Sequence, residues 1–387
     1  MRLSEHPLWL VGFRPFFALA CLSGMSLPVL WALVFTGVVT PPGSPYSPNQ
    51  WHAHEMFFGF AWAVLGGFLL TSTKNWVNIR GYHGTPLVLL TAAWLLERLA
   101  MWFAGSLPQA LLLVASNLFL GSIVAMLLWT MVAHRDDDSY RIDNGFFLVA
   151  LPLFIVAKNL LLNADTFAVG WSMTLGLYRV AFLVMLERTL SQFMKGVFQV
   201  TILRKPPLDN AIKLLALAMV FESLLPPVLS GAIGLTLASA LLGRFVFWKP
   251  LVAMKRIDIG IMHLGYLGIV AQLALDGTSR FVPMVWIGTL PVHIFTFGVM
   301  GLIIPAMIIR ISNGHTGRKV IFDRLDKLLL KIMIAAFVLR VIAPQFAPEA
   351  YTAWVHAAAA CWFACFGLLG WRYIPRLMQR RVDGKEH

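Results

Sequence analysis

Apolar runs of bilayer length recur along the whole chain and leave little between them. A transmembrane α-helix needs roughly twenty consecutive apolar residues. In lipid every backbone N–H and C=O must be satisfied inside the segment, so such runs become helices rather than open strands. Twelve of them are expected, at about 16–39, 52–71, 86–104, 107–133, 145–164, 166–187, 209–229, 231–249, 259–275, 282–309, 325–344 and 350–373. The expectation is an all-α, polytopic membrane protein with twelve transmembrane helices. No hydrophilic stretch is long enough to fold alone, so residues 1–387 are read as a single integral membrane domain. Composition agrees: 59% of residues are hydrophobic and 13% charged, about half the charged share of a soluble domain.

The connections test that count, because Lys and Arg concentrate in cytoplasmic loops. Thr40–Gln50 is uncharged, and the connection near Lys74 and Arg80 is basic. The break at Gly105 lacks Lys and Arg, whereas His134–Asn144 holds Arg135 and Arg141 beside four aspartates. Asn163–Thr166 and Ser230-Gly231 are poor in basic residues, whereas Arg188–Lys213 and Arg244–Arg256 are rich. Asp276–Phe281 carries only Arg280, Arg310–Lys327 is basic, Pro344–Ala350 is not, and the tail after Trp371 is. This alternation places both termini in the cytoplasm. It also assigns the net charge of +13 to topology rather than to nucleic acid, which is not expected as a partner. Arg188–Arg204 reads as an amphipathic segment along the cytoplasmic surface. The first segment is polar and is followed by a full-length span, so no cleavable signal peptide is expected. Cys21, Cys361 and Cys365 lie in apolar runs without CxxC spacing, which argues against disulfides or a thiolate metal site.

Ionisable side chains inside such runs are costly and mark functional sites by default. Trp51-His52-Ala53-His54-Glu55-Met56 opens the second run. On an ideal helix His52 and Glu55 share a face while His54 points away. Neutral imidazole is a strong ligand for copper or haem iron, so His52, His54, His263 and His293 are the candidate metal ligands, the alternative for the first pair being a capped helix start at the headgroups. Glu55 and Tyr266 are candidate proton donors, Tyr266 lying one turn beyond His263. Arg98 and Arg340, embedded toward the outer ends of their helices, suit haem propionates, since guanidinium groups bind carboxylates bidentately. The alternative is structural pairing, for example with Glu55, Glu97 or Asp165. Lys158, Arg179 and Glu222 are also embedded. They either line a transporter path or pair with one another. His6, His83, His134 and His387 read as solvated surface residues.

Several stretches together resemble the NnrS family of bacterial membrane proteins. They are Gly12-Phe13-Arg14-Pro15-Phe16-Phe17, Trp51 to Met56, Gly67 to Thr71 with Asn75-Trp76, His263-Leu264-Gly265-Tyr266, His293 with Gly298 and Gly301, and Ile311 to Arg318. The resemblance implies a haem- and copper-containing inner-membrane protein with twelve helices. It would bind or detoxify nitric oxide and protect against nitrosative stress beside denitrification, with a membrane or periplasmic electron donor. It places His52, His54, Glu55, His263, His293 and His315 among the family-like polar positions. Arg14 and His315 join Arg98 and Arg340 as candidate cofactor-binding residues. His356 falls in no matching stretch.

Overall fold

The computed structural model describes residues 3–40 and 45–385. His387 lies outside the described residues, which are helical with no strand. With short π segments merged into the helices that flank them, the long helices are α1 (Phe13–Phe35), α2 (Pro48–Trp76), α3 (Thr85–Trp102), α4 (Gln109–Ala133), α5 (Arg141–Leu162) and α6 (Phe167–Phe198). There follow α7 (Pro206–Ala218), α8 (Pro227–Phe247), α9 (Ile257–Ser279), α10 (Leu290–His315), α11 (Arg324–Phe346) and α12 (Tyr351–Leu377). Each expected run therefore yields a helix. Among the described residues ten are long and apolar enough to cross a membrane. The two expected runs that fall short do so for visible reasons. Helix α3 carries Glu97 and Arg98 in its apolar sequence. The run at 209–229 breaks after Ala218 into a 3₁₀ segment, Met219–Leu224, ahead of Pro226-Pro227.

Helix ends follow local chemistry. Ser47 accepts from Gln50 N at 3.2 Å while the Gln50 side chain accepts from Ser47 N at 2.9 Å, and Pro48 fills the first helical position. Such a capping box satisfies amides that a helix start leaves orphaned. Asp323 and Asp326 do the same at the start of α11. Two boundaries differ from the sequence expectation. Helix α10 begins at Leu290 rather than 282, because residues before it run through Gly288 at φ +69°. That stretch is held by Gln345, which bonds Ile287 N at 3.0 Å and Ile287 O at 3.1 Å. The segment expected along the membrane surface continues α6 without a break to Phe198, with Leu190 and Met194 fully buried. No proline interrupts it before Pro206.

The chain divides into two compact units. The first comprises Met1–Gly170, Ile308–Ile321 and Phe366–His387; the second comprises Trp171–Met307 and Phe322–Cys365. In the first, α2 packs on α1 through Gly67 and on α4 through Gly66. A Cβ on Gly67 would stand 2.8 Å from Phe16 Cβ, and one on Gly66 would stand 2.6 Å from Ile123 of α4. Small residues permit this close helix approach where lipid supplies no hydrophobic drive between helices. In the second, α8 and α9 meet at Gly231 and Gly277, where a Cβ on Gly231 would approach Gly277 O to 3.0 Å.

The tightest crossing is at Gly170 of α6, whose Cβ would stand 2.1 Å from Leu161 N, a backbone atom that cannot swing aside. Gly170→Ala should lower stability by at least about 1–3 kcal/mol, the usual cost of overpacking. Gly121→Ala, with nothing within 4 Å, should be neutral. Thermal unfolding in detergent checks both. Equal midpoints would overturn the packing account.

Candidate functional site

In the first unit α2 is not a regular α-helix. It passes from α (Pro48–His54) to a π segment (Glu55–Ala61) and back. A π segment inserts a residue into the turn and is frequent at functional sites. Its altered ladder turns two carbonyls outward to side chains of α3. Arg98 Nη1 donates to Phe58 O at 3.3 Å, and Trp94 Nε1 donates to Gly59 O at 3.0 Å. A Cβ at position 59 would stand 2.8 Å from Arg98 Nη1, so the glycine lets the guanidinium lie close against α2.

Around this segment lies a buried charge cluster. His54 is fully buried, with Nδ1 3.0 Å from Glu55 Oε1 and Nε2 3.2 Å from Glu97 Oε1, the second off the hydrogen-bonding line. Arg98 Nε lies 2.8 Å from Glu55 Oε2, and Arg98 Nη2 lies 3.3 Å from Glu97 Oε2. Lys158 of α5 donates from Nζ to Glu97 Oε1 and to Ser116 O of α4. Two carboxylates and two permanent cations balance. A neutral imidazole donates from one nitrogen only. The imidazole therefore meets Glu55 through Nδ1, while Nε2 faces Glu97 without a hydrogen bond. The arrangement places one imidazole between two carboxylates in an otherwise apolar helix packing. Glu55 thus faces His54 and Arg98, whereas His52 stacks on Trp31 with ring centroids 4.0 Å apart. The shared face expected for His52 and Glu55 is not used.

The second unit separates its candidates. His263 is fully buried, with Nδ1 3.4 Å from Ile259 O and Nε2 3.3 Å from Trp248 O. Tyr266, one turn on, donates to Leu241 O at 2.9 Å and accepts from Arg244 Nε at 3.1 Å. It belongs to a second charge cluster. There Arg244 Nη1 meets Glu187 at 3.1 Å and Asp209 at 3.3 Å, Lys213 meets Glu187 at 3.2 Å, and Arg204 pairs with both acids. His293 precedes a π segment, Thr296–Gly301, and Arg340 sits in another, Val338–Ile342. Arg340 Nη2 lies 3.1 Å from His293 Nε2 and 3.2 Å from Tyr351 Oη. Arginine only donates, so Nε2 accepts and the proton sits on Nδ1, which donates to Thr289 O at 2.9 Å.

Other sequence candidates have protein partners. Arg14 is fully buried and Nη1 donates to Leu377 O at 2.8 Å and Gln379 O at 2.6 Å. His315 packs on Phe13, ring centroids 5.5 Å apart. Arg179 stands 3.8 Å from Glu222 and donates to Gln272 at 3.1 Å, which realises the pairing alternative for those two, while Lys158 takes Glu97. His356 is exposed.

Among the described residues no group of three or more His, Cys, Asp or Glu side chains is arranged to hold a metal ion. His54, His263 and His293 each point both ring nitrogens at protein groups. As they stand, these residues do not fit a copper or haem ligand set, and a metal would have to displace a protein partner.

The sequence comparison decides the family. The family model described as NnrS protein matches residues 7–381, nearly the whole chain. The chain belongs to the NnrS family. Among curated proteins none matches it. For this NnrS chain the match reaches from Pro7 to Arg381, so both charge clusters and the three π segments among the described residues lie inside it. Sequence reasoning overlooked Glu97 as the hub, reading it only as a local partner of Arg98. It also overlooked the Glu187, Asp209 and Arg244 cluster. Embedded acids and bases on separate runs were the available signal, since each must find a counter-charge.

Removing one member of a buried pair typically costs about 3–5 kcal/mol, because the other charge is left uncompensated. Lys158→Met should therefore destabilise by about that amount. Glu97→Gln combined with Lys158→Met should cost clearly less than the two single changes added together. Unfolding midpoints of the four proteins in one detergent give the coupling, and simple additivity would sink the pairing.

Proposed function

We propose that this NnrS-family chain is a bacterial inner-membrane protein that binds or removes nitric oxide and so limits nitrosative stress. The match over residues 7–381 carries the reading. The multi-pass helical architecture and a buried imidazole set between two carboxylates support it. Haem and copper are the cofactors that this reading includes. A bound haem supplies an iron site for a diatomic ligand and a route for electrons.

The chain's own residues would supply proton handling and positioning. Glu55 and His54 exchange a proton across the 3.0 Å contact between Oε1 and Nδ1. General acid–base groups act over such distances. Arg98 faces both Glu55 and Glu97, and Lys158 faces Glu97, so the carboxylates are held in place beside the imidazole. Tyr266, held by Arg244 and Leu241 O, positions α9 against α8 rather than serving His263. Removal of nitric oxide by reduction would need electrons from a membrane or periplasmic donor.

A pyridine haemochrome spectrum with copper analysis on the purified, full-length protein tests the cofactor reading. Cells lacking the chain should grow more slowly under a nitric oxide donor and recover with the intact gene. A colourless, copper-free protein whose loss leaves growth unchanged would defeat the proposal.

A further inference from the structure

One end of the first unit gathers basic side chains without matching acids. Arg14 and Lys74 are buried there, and Arg318, Arg376 and Arg381 surround them. Arg318 Nη2 donates to Gln379 Oε1 at 2.9 Å, Arg376 Nη1 donates to Asn313 Oδ1 at 2.9 Å, and Arg381 Nη1 donates to His315 O at 3.2 Å. Gln379 O also accepts from Arg14 at 2.6 Å, so the polar groups interlock. The like charges stand close enough to act on one another: Arg381 and Arg318 on Arg14, Arg381 on Lys74, Arg376 on Arg318.

Against these five cations stands one carboxylate among the described residues. Asp383 takes two bonds from Arg381, at 2.9 and 2.6 Å. Those bonds hold its carboxyl at about 2, so it is ionised at any physiological pH. Arg14, Lys74, Arg318 and Arg376 have no acid within ion-pairing distance among the described residues. Arg14 Nε and Nη2 and Arg318 Nη1 are buried with no hydrogen-bond partner. A buried donor left unmade costs about 1–3 kcal/mol, more when charged, and a net excess of four positive charges in one place repels itself.

We propose that this end of the first unit, framed by Lys74, Arg318, Arg376 and Arg381 with Arg14 behind them, binds a phosphate-bearing anion. Guanidinium groups match phosphate geometry by bidentate donation. The phosphate of an anionic phospholipid suits the surroundings. Trp371 and Pro375 of α12, with Met378 just past its end, are spaced i, i+4 and i+7, are exposed and run into the basic segment. They offer an apolar stripe for acyl chains beneath the headgroup. Basic clusters flanking membrane helices recognise anionic headgroups in this way. The site is independent of the nitric oxide reading.

The experiment uses the purified full-length protein, stripped of lipid in detergent. Native mass spectrometry counts retained phosphatidylglycerol against phosphatidylcholine. Thermal midpoints are measured in parallel with inorganic phosphate against chloride at equal ionic strength. Intact protein should retain phosphatidylglycerol preferentially. Arg318→Gln should weaken retention about fivefold, the order expected for one basic side chain at an anionic headgroup. Asp383→Asn should strengthen it, and this opposite sign is one that structural damage would not give. A phosphate-dependent midpoint that Arg318→Gln abolishes, without lipid retention, would support the same anion site filled from solution. Arg141→Gln, at an exposed arginine paired with Asp136, is the charge control. If neither anion responds to Arg318→Gln, or if Arg141→Gln lowers binding equally, the proposal is overturned.

Discussion

Glu97 lies fully buried on α3 between His54, Arg98 and Lys158, which come from α2, α3 and α5. An isolated carboxylate there would be prohibitively costly to desolvate. The same is true of Lys158 alone. Each charge is tolerable only because the opposite one is in place, so the cluster fixes the rotation of three helices at once. Apolar packing in lipid is permissive about rotation, because leucine against leucine and leucine against acyl chain are nearly equivalent. A buried ion pair is not permissive. It adds little net stability over apolar residues but excludes arrangements that separate the charges.

The π segments serve the same end by another route. A regular α-helix from Pro48 to Trp76 would continue the 100° step per residue through Glu55 and present Gly59, Gly66 and Gly67 along a simple stripe. The extra residue of the π turn shifts the register. Gly59 then faces Arg98, Gly66 faces Ile123, and Gly67 faces Phe16. The segment also turns carbonyls toward Arg98 and Trp94, so donors on α3 are satisfied by backbone that an α-helix would have kept for itself. His54 immediately precedes one such segment and Glu55 opens it, His293 lies just before another, and Arg340 lies within the third. Polar groups singled out by chemistry thus coincide with departures from regular backbone.

Each compact unit carries its own charge cluster, and the two are built alike in kind. In the second unit Glu187 and Asp209 receive Arg204, Lys213 and Arg244, while Tyr266 closes the cluster with a bond to Leu241 O. Its members come from α6, α7, α8 and α9 and from the segment before α7. The continuation of α6 to Phe198 follows from this: Glu187 and Arg188 are buried, so the helix carrying them is held by packing beyond the expected span end.

The sequence by itself determined the helical membrane architecture, the approximate place of each helix, and the family. Run length, loop charge and the stretches around His52, His263 and His315 are local properties that any packing must respect. It also marked Glu55, Arg98, Lys158, Arg179 and Glu222 as groups in need of partners. Only the tertiary structure decided who those partners are. Lys158 takes Glu97, 61 positions away in sequence, and Tyr266 turns to Arg244 rather than to His263. Helix rotation and the π register choose among counter-charges of equal chemical merit. Neither quantity is written in the periodicity of one chain, because both are set by what the neighbouring helices present.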